Sequence, residues 1–201
     1  MKRSLLIFFL LLCVLRGQSQ VEMAAKLNAF YACVGLVNPS VEFALSPKST
    51  LQTEVVYSPW RSVNGHKMNF GILMTEYRWH LKGHFNGVYF GANAGMQMFK
   101  ISKPYIEHGK LRFNTGYAKG AGAMLGLSVG YEKIFAERWI FDAFLSWSRM
   151  WSYYNGYDTN NEIMMYPEGH ENDNPPDPWN GSAEWYPNKV GISLGYIFNK
   201  K

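Results

Sequence analysis

The sequence predicts an all-β protein, an eight-stranded antiparallel transmembrane β-barrel with short periplasmic turns and longer extracellular loops. Three observations predict it. Segments of about ten residues alternate apolar side chains with small or polar ones, and turn residues separate them. The closing segment sets Val190, Ile192, Leu194, Tyr196 and Phe198 on one face, against Lys189, Gly191, Ser193, Gly195 and Ile197 on the other. The N-terminus has the layout of an export signal, with Lys2 and Arg3 ahead of an apolar run from Leu5 to Leu15 and small residues in Gly17-Gln18-Ser19.

The leader is expected to span 1–19, a short periplasmic segment 20–25, and the barrel 26–201. Its apolar run is too short to cross a bilayer as a helix. Leu12 before Cys13 argues against lipidation, where a small residue is needed. Losing Lys2, Arg3 and Arg16 leaves 17 Lys and Arg (20 − 3) against 15 Asp and Glu, so the mature chain is only weakly basic. It has no basic stripe interleaved with aromatics, and no nucleic-acid partner is expected. Cys33 alone remains, which excludes an internal disulfide and a cysteine zinc cluster; it reads as a small apolar side chain on a strand. The mature chain has no apolar run of 18 residues, so a helical membrane protein is not expected.

Eight strands follow in order. Leu27 to Gly35 alternates Leu27, Ala29, Tyr31 and Cys33 with Asn28, Phe30, Ala32 and Val34. Val41 to Leu45 sets Val41, Phe43 and Leu45 opposite Glu42 and Ala44. Leu51 to Trp60 sets Leu51, Thr53, Val55 and Tyr57 opposite Gln52, Glu54, Val56 and Ser58. Gly71 to Leu81 sets Leu73, Thr75, Tyr77 and Trp79 opposite Met74, Glu76, Arg78 and His80. In Val88 to Phe99, Tyr89, Gly91, Asn93, Gly95 and Gln97 share a face. Gly116 to Phe135 opposes Ala121, Leu125, Leu127 and Val129 to a row of glycines. Trp139 to Tyr153 opposes Phe141, Leu145 and Trp147 to Asp142, Ser146 and Ser148. The closing strand completes the set. Connections at 46–50, 82–87 and 135–138 are short. Those at 61–66, 100–115 and 155–186 are longer and read as loops, with a short one at 36–40 on their side. A soluble periplasmic sandwich would also alternate, but the apolar closing face, the glycine-rich inner faces and the aromatics near strand ends favour the barrel.

The interior of so narrow a barrel is filled by side chains. Its polar members are expected to be Glu42, Glu54, Glu76, Arg78, His80, Asn93, Gln97, Asp142 and Lys189, joined in an ion-pair network because buried charges must pair. Val190, Ile192, Leu194, Tyr196 and Phe198 are expected to face lipid.

Several runs resemble a Bacteroidetes family of unknown function, DUF3575. They include Asn28-Ala29-Phe30-Tyr31, Asn38 to Lys48, Tyr57-Ser58-Pro59-Trp60, Glu76-Tyr77-Arg78-Trp79, Phe85-Asn86-Gly87, the Gly116 to Tyr131 repeat, Arg138-Trp139 and the closing strand. The resemblance covers residues 26 to 198. It implies a small outer-membrane barrel whose role is unassigned; some members are encoded near fimbria-like surface proteins, which implies surface assembly. The chain departs from the pattern in its extended last loop and at Arg149, where an aromatic is commoner.

No motif points to a cofactor. A lipid-modifying hydrolase or acyltransferase, the alternative function, needs a serine, a histidine base and a carboxylate together; Asp142, Ser146 and Ser148 share a face, but no histidine is placed beside them. A narrow pore comes third. Loop 155–186 carries seven acidic residues and no Lys or Arg, and Asp158 to Glu162 and Glu171 to Asn174 offer oxygens to Ca²⁺ without the spacing of a calcium loop. Trp179 and Trp185 are expected to fold back on the rim. The expected function is therefore a non-enzymatic outer-membrane barrel acting through its outer loops, with outer-membrane lipids, the barrel-assembly machinery and surface proteins as its partners.

Overall fold

The computed structural model describes residues 21–113, 116–162 and 180–199, with backbone alone for 104–106, 111 and 180–181. The leader 1–19 and the acidic stretch 163–179, with Trp179 and the run Glu171 to Asn174, lie outside the described residues.

Eight strands close on themselves through hydrogen bonds. They are β1 (Met23–Asn28), β2 (Pro39–Ser46), β3 (Ser49–Ser58), β4 (Met68–His80), β5 (Gly87–Ile101), β8 (Tyr117–Phe135), β9 (Trp139–Tyr157) and β10 (Asn180–Phe198). Every neighbour is antiparallel, and β1 meets β10 with Leu27 opposite Leu194 and Asn28 opposite Ser193. Closure leaves no unpaired edge, which an open sheet of such apolar strands would expose. The remaining two strands, β6 (Pro104–Glu107) and β7 (Lys110–Phe113), form a separate hairpin in the stretch expected to be loop.

The first strand is corrected. It begins at Met23, inside the segment 20–25 placed ahead of the barrel, and ends at Asn28 rather than Gly35. The next residues wind into a short helix, α1 (Ala29–Cys33), because the Asn28 side chain accepts a hydrogen bond from the Tyr31 N–H at 3.2 Å. Cys33 therefore ends a helix, exposed, and does not lie on a strand. Gly35, at φ 74°, passes under the Trp60 ring, and the Trp60 indole donates to the Val34 carbonyl at 3.2 Å. The Val34 to Val37 and Tyr57 to Trp60 stretches thus meet at one lip of the barrel.

The last loop is corrected too. β9 continues to Tyr157 and β10 starts at Asn180, so residues 155–157 and 180–186 are strand and the connection shrinks to 158–179. Pro187 sits where the β9–β10 register shifts, between Tyr186 and Lys189, so its missing N–H interrupts no ladder. Trp185 lies on the outer face of β10 rather than over the rim. The Arg149 guanidinium stands 5.6 Å from its ring centre and 5.9 Å from that of Trp151.

The barrel is inverted relative to a water-soluble protein. Its outer face is apolar all round, with Leu127 71% and Met98 73% exposed, while Arg78, His80, Glu42 and Glu132 are fully buried inside. Val190, Ile192, Leu194 and Phe198 stand exposed on the outer face of β10, with Tyr196 half-buried against Trp139 and Phe198. At the short-turn end the apolar core of Ala24, Phe85, Ile140 and Ile197 closes the lumen. Phe85 belongs to the turn between β4 and β5, and it accepts a left-handed backbone, φ 60°, while its ring is fully buried.

Candidate functional site

Above the Phe85 base, alternation on seven strands sends polar side chains into one buried cluster. Arg78 of β4 is its hub. Its Nη1 lies 2.9 Å from Glu132 Oε1, 2.9 Å from Asp142 Oδ2 and 3.1 Å from Glu42 Oε2, while its Nε bonds Glu76. Lys26 of β1 pairs with Glu42 and Glu132 and reaches Asp142 at 3.1 Å. Thr50 donates to Glu42, and His80 Nε2 lies 2.8 Å from Glu132 Oε2. Tyr89 slides its ring beneath the Arg78 guanidinium, 4.5 Å from centre to Cζ, and donates to Asp142 at 3.1 Å. Only glycine fits at position 130, since a Cβ there would come within 2.4 Å of that ring. One floor higher, Lys189 lies 3.2 Å from Glu54 and 3.6 Å from Glu76, and Asn93 bonds both Ser146 and Ser148.

The structure therefore brings Glu42, Glu54, Glu76, Arg78, His80, Asp142 and Lys189 together inside, with Asn93. Sequence reading missed Lys26, Glu132 and Tyr89 as members of the cluster. Extending the Gly126, Ser128, Gly130 row by two residues points to Glu132, and stepping back from Asn28 points to Lys26.

The cluster offers little for catalysis or metal binding. Glu42, His80 and Glu132 approach within 4.8 Å of one another, as a metal site would require, but Lys26 and Arg78 already take up their carboxylates. Ser146 donates to the Leu127 carbonyl and Ser148 to Asn93; Nε2 of His80 and of His84 each meets a carboxylate, not a serine. Asp158, the first oxygen ligand expected of a calcium run, instead accepts from the backbone N–H of Asn160 and Glu162, each at 2.8 Å.

Above this cluster the lumen opens into a cup between the long connections, a cavity of about 730 Å³. Tyr31 of α1 lines it, and burial pushes its hydroxyl above the ordinary tyrosine range, so it stays a phenol at neutral pH.

The family model for DUF3575, a protein family of unknown function, matches residues 5–198, nearly the whole chain. The chain belongs to the DUF3575 family. No curated protein matches this DUF3575 member. Among solved structures it is similar to the N-terminal β-barrel domain of OprF from Pseudomonas aeruginosa, with 16% identity over 89% of this chain and 96% of that one and a TM-score of 0.38. The barrel assignment rests on the closed ring of strand pairs and not on that similarity.

Proposed function

We propose that this DUF3575 member is a non-enzymatic outer-membrane barrel with a closed lumen, serving as a structural or contact element at the cell surface through its long-loop end. The inversion of the barrel carries the reading. A continuous apolar exterior around a charged interior is stable where the outer face meets lipid, and costly in water. The expected export leader and the basic-to-neutral balance of the remaining chain fit this placement. The filled lumen argues against a pore: Arg78 and Lys26 hold carboxylates from β2, β4, β8 and β9 across it, and Phe85 seals the base. A link to fimbria-like surface structures belongs to this proposal and draws only on the family resemblance.

Two measurements on the same protein test it. In planar bilayers the purified barrel should give no current steps; uniform ohmic steps would sink the closed lumen. On intact cells, cross-linking should capture surface proteins through the long-loop end, and a deletion confined to 159–178 should reduce that capture. Equal capture by the deleted form would remove the contact role from that loop.

A further inference from the structure

The cup has the build of a small-molecule site. Its volume lies within the range of ligand pockets, and its wall is mostly apolar and aromatic, including Val56, Ile72, Phe99, Met150 and Tyr154. The polar groups gather at its floor. Tyr186 donates to Gln97 Oε1 at 3.4 Å, and beside them lies Asn188.

Asn188 is the telling residue. Regular alternation would point only one of Asn188 and Lys189 inward, but both are buried, because the register shift around Pro187 re-aims the chain. Asn188 is 7% exposed and lines the cup. Its amide nitrogen faces two weak acceptors, Met74 Sδ at 3.3 Å and Met124 Sδ at 3.9 Å, and its amide oxygen has no partner among the described residues. Exchanging the two ends of the amide would leave the same vacancy of partners. A buried amide that spends a bulge to reach a cavity floor and finds only sulfur is poised for a ligand.

We propose that the cup binds a small molecule with a largely apolar, aromatic-sized body and an N–H or O–H donor at its buried end, and that it rejects carboxylates and sulfonates. The charge beneath the floor sets the second half. Five carboxylates (Glu42, Glu54, Glu76, Glu132, Asp142) face three cationic side chains (Lys26, Arg78, Lys189), and Lys189 is already held between Glu54 and Glu76. Carboxylates thus outnumber the cations beneath the floor, and Lys103, the one lysine among the described residues lining the cup, is itself paired with Glu184 at 2.5 Å. The site goes beyond the surface-contact reading and stands whether or not that reading holds, since binding and conductance are separate readouts.

The test uses the full barrel in lipid nanodiscs with ¹³C-methyl methionine. Met150 lines the cup and Met124 lies against Tyr186 and Asn188 of its floor, so both report on it, whereas Met96 and Met98 lie exposed on the outer face and report on probe dissolved in lipid. The probes are N-phenyl-1-naphthylamine, neutral with one N–H donor, and its anionic relative 8-anilinonaphthalene-1-sulfonate. The neutral probe should shift Met124 and Met150 saturably, and the sulfonate should not. Asn188→Leu should weaken the response at least tenfold, and Ser152→Phe, which puts a ring into the cup, should weaken it too. Shifts confined to Met96 and Met98 would overturn the site, as would Met124 and Met150 shifts that survive Ser152→Phe unchanged. Equal response to both probes would overturn the ligand class. The wild-type pattern decides even if neither variant folds.

Discussion

Arg78 shows how one side chain holds a barrel interior together. Four carboxylates lie within ion-pair distance of it, from β2, β4, β8 and β9. A buried charge that loses its partner costs about 3–5 kcal/mol. Arg78→Met should therefore lower unfolding free energy in vesicles by about that amount in a urea titration, while Arg78→Lys, keeping the charge, should lose less. Equal losses would mean the guanidinium's packing on Tyr89 matters more than its charge. Period-two alternation made Arg78, Glu76 and His80 legible as interior residues. Lys26 was not, because a lysine beside a strand start is ordinarily solvated. What buries it are Glu132 and Asp142, 106 and 116 residues away, and no local pattern reports such a pairing.

Element boundaries were legible where strands were long, and not where a few residues could serve either period. Ala29–Cys33 is apolar at every position, so alternation there was a matter of chance, and the Asn28 cap decided for helix. Asn180-Gly181 read as loop, yet both pair with β9, and Pro187 is tolerated beyond them because it sits at the register shift. The turn between β8 and β9 was placed correctly, and its strain is specific. In this three-residue connection Ala136 and Glu137 both adopt positive φ, 42° and 66°, which suits asparagine or glycine better than alanine. Ala136→Asn should raise stability by about 0.5–1 kcal/mol, on the scale of relieving one left-handed residue, read as a higher urea midpoint with unchanged slope. A lower midpoint would show that the turn is held by contacts of its neighbours.

At the scale of the whole molecule, the inverted exterior makes the membrane reading testable at a single position. Leu194 stands outward on β10 between Leu27 and Phe141, and its chain neighbour Ser193 is buried inside opposite Asp142. A charge on the lipid face near mid-membrane costs about 2–4 kcal/mol. Leu194→Arg should cut the heat-modifiable, folded fraction in outer membranes, and Ser193→Thr should be milder. Wild-type levels for Leu194→Arg would refute the placement in lipid. The closed ring was legible because eight alternating segments need no distant information to be counted; the cup was not, because it depends on a bulge.

The unequal strands also give the barrel a direction in time. β8 and β9 match 19 residue pairs across a tight turn, so their hairpin closes little chain entropy and can form early. β1 and β10 share six pairs, from Met23 with Phe198 to Asn28 with Ser193, at the greatest possible separation along the chain. That short seam joins the two ends of the chain, so its pairing closes the longest loop. The cylinder is fastened there by the strand that also carries Lys26, whose partners Glu132 and Asp142 lie on β8 and β9.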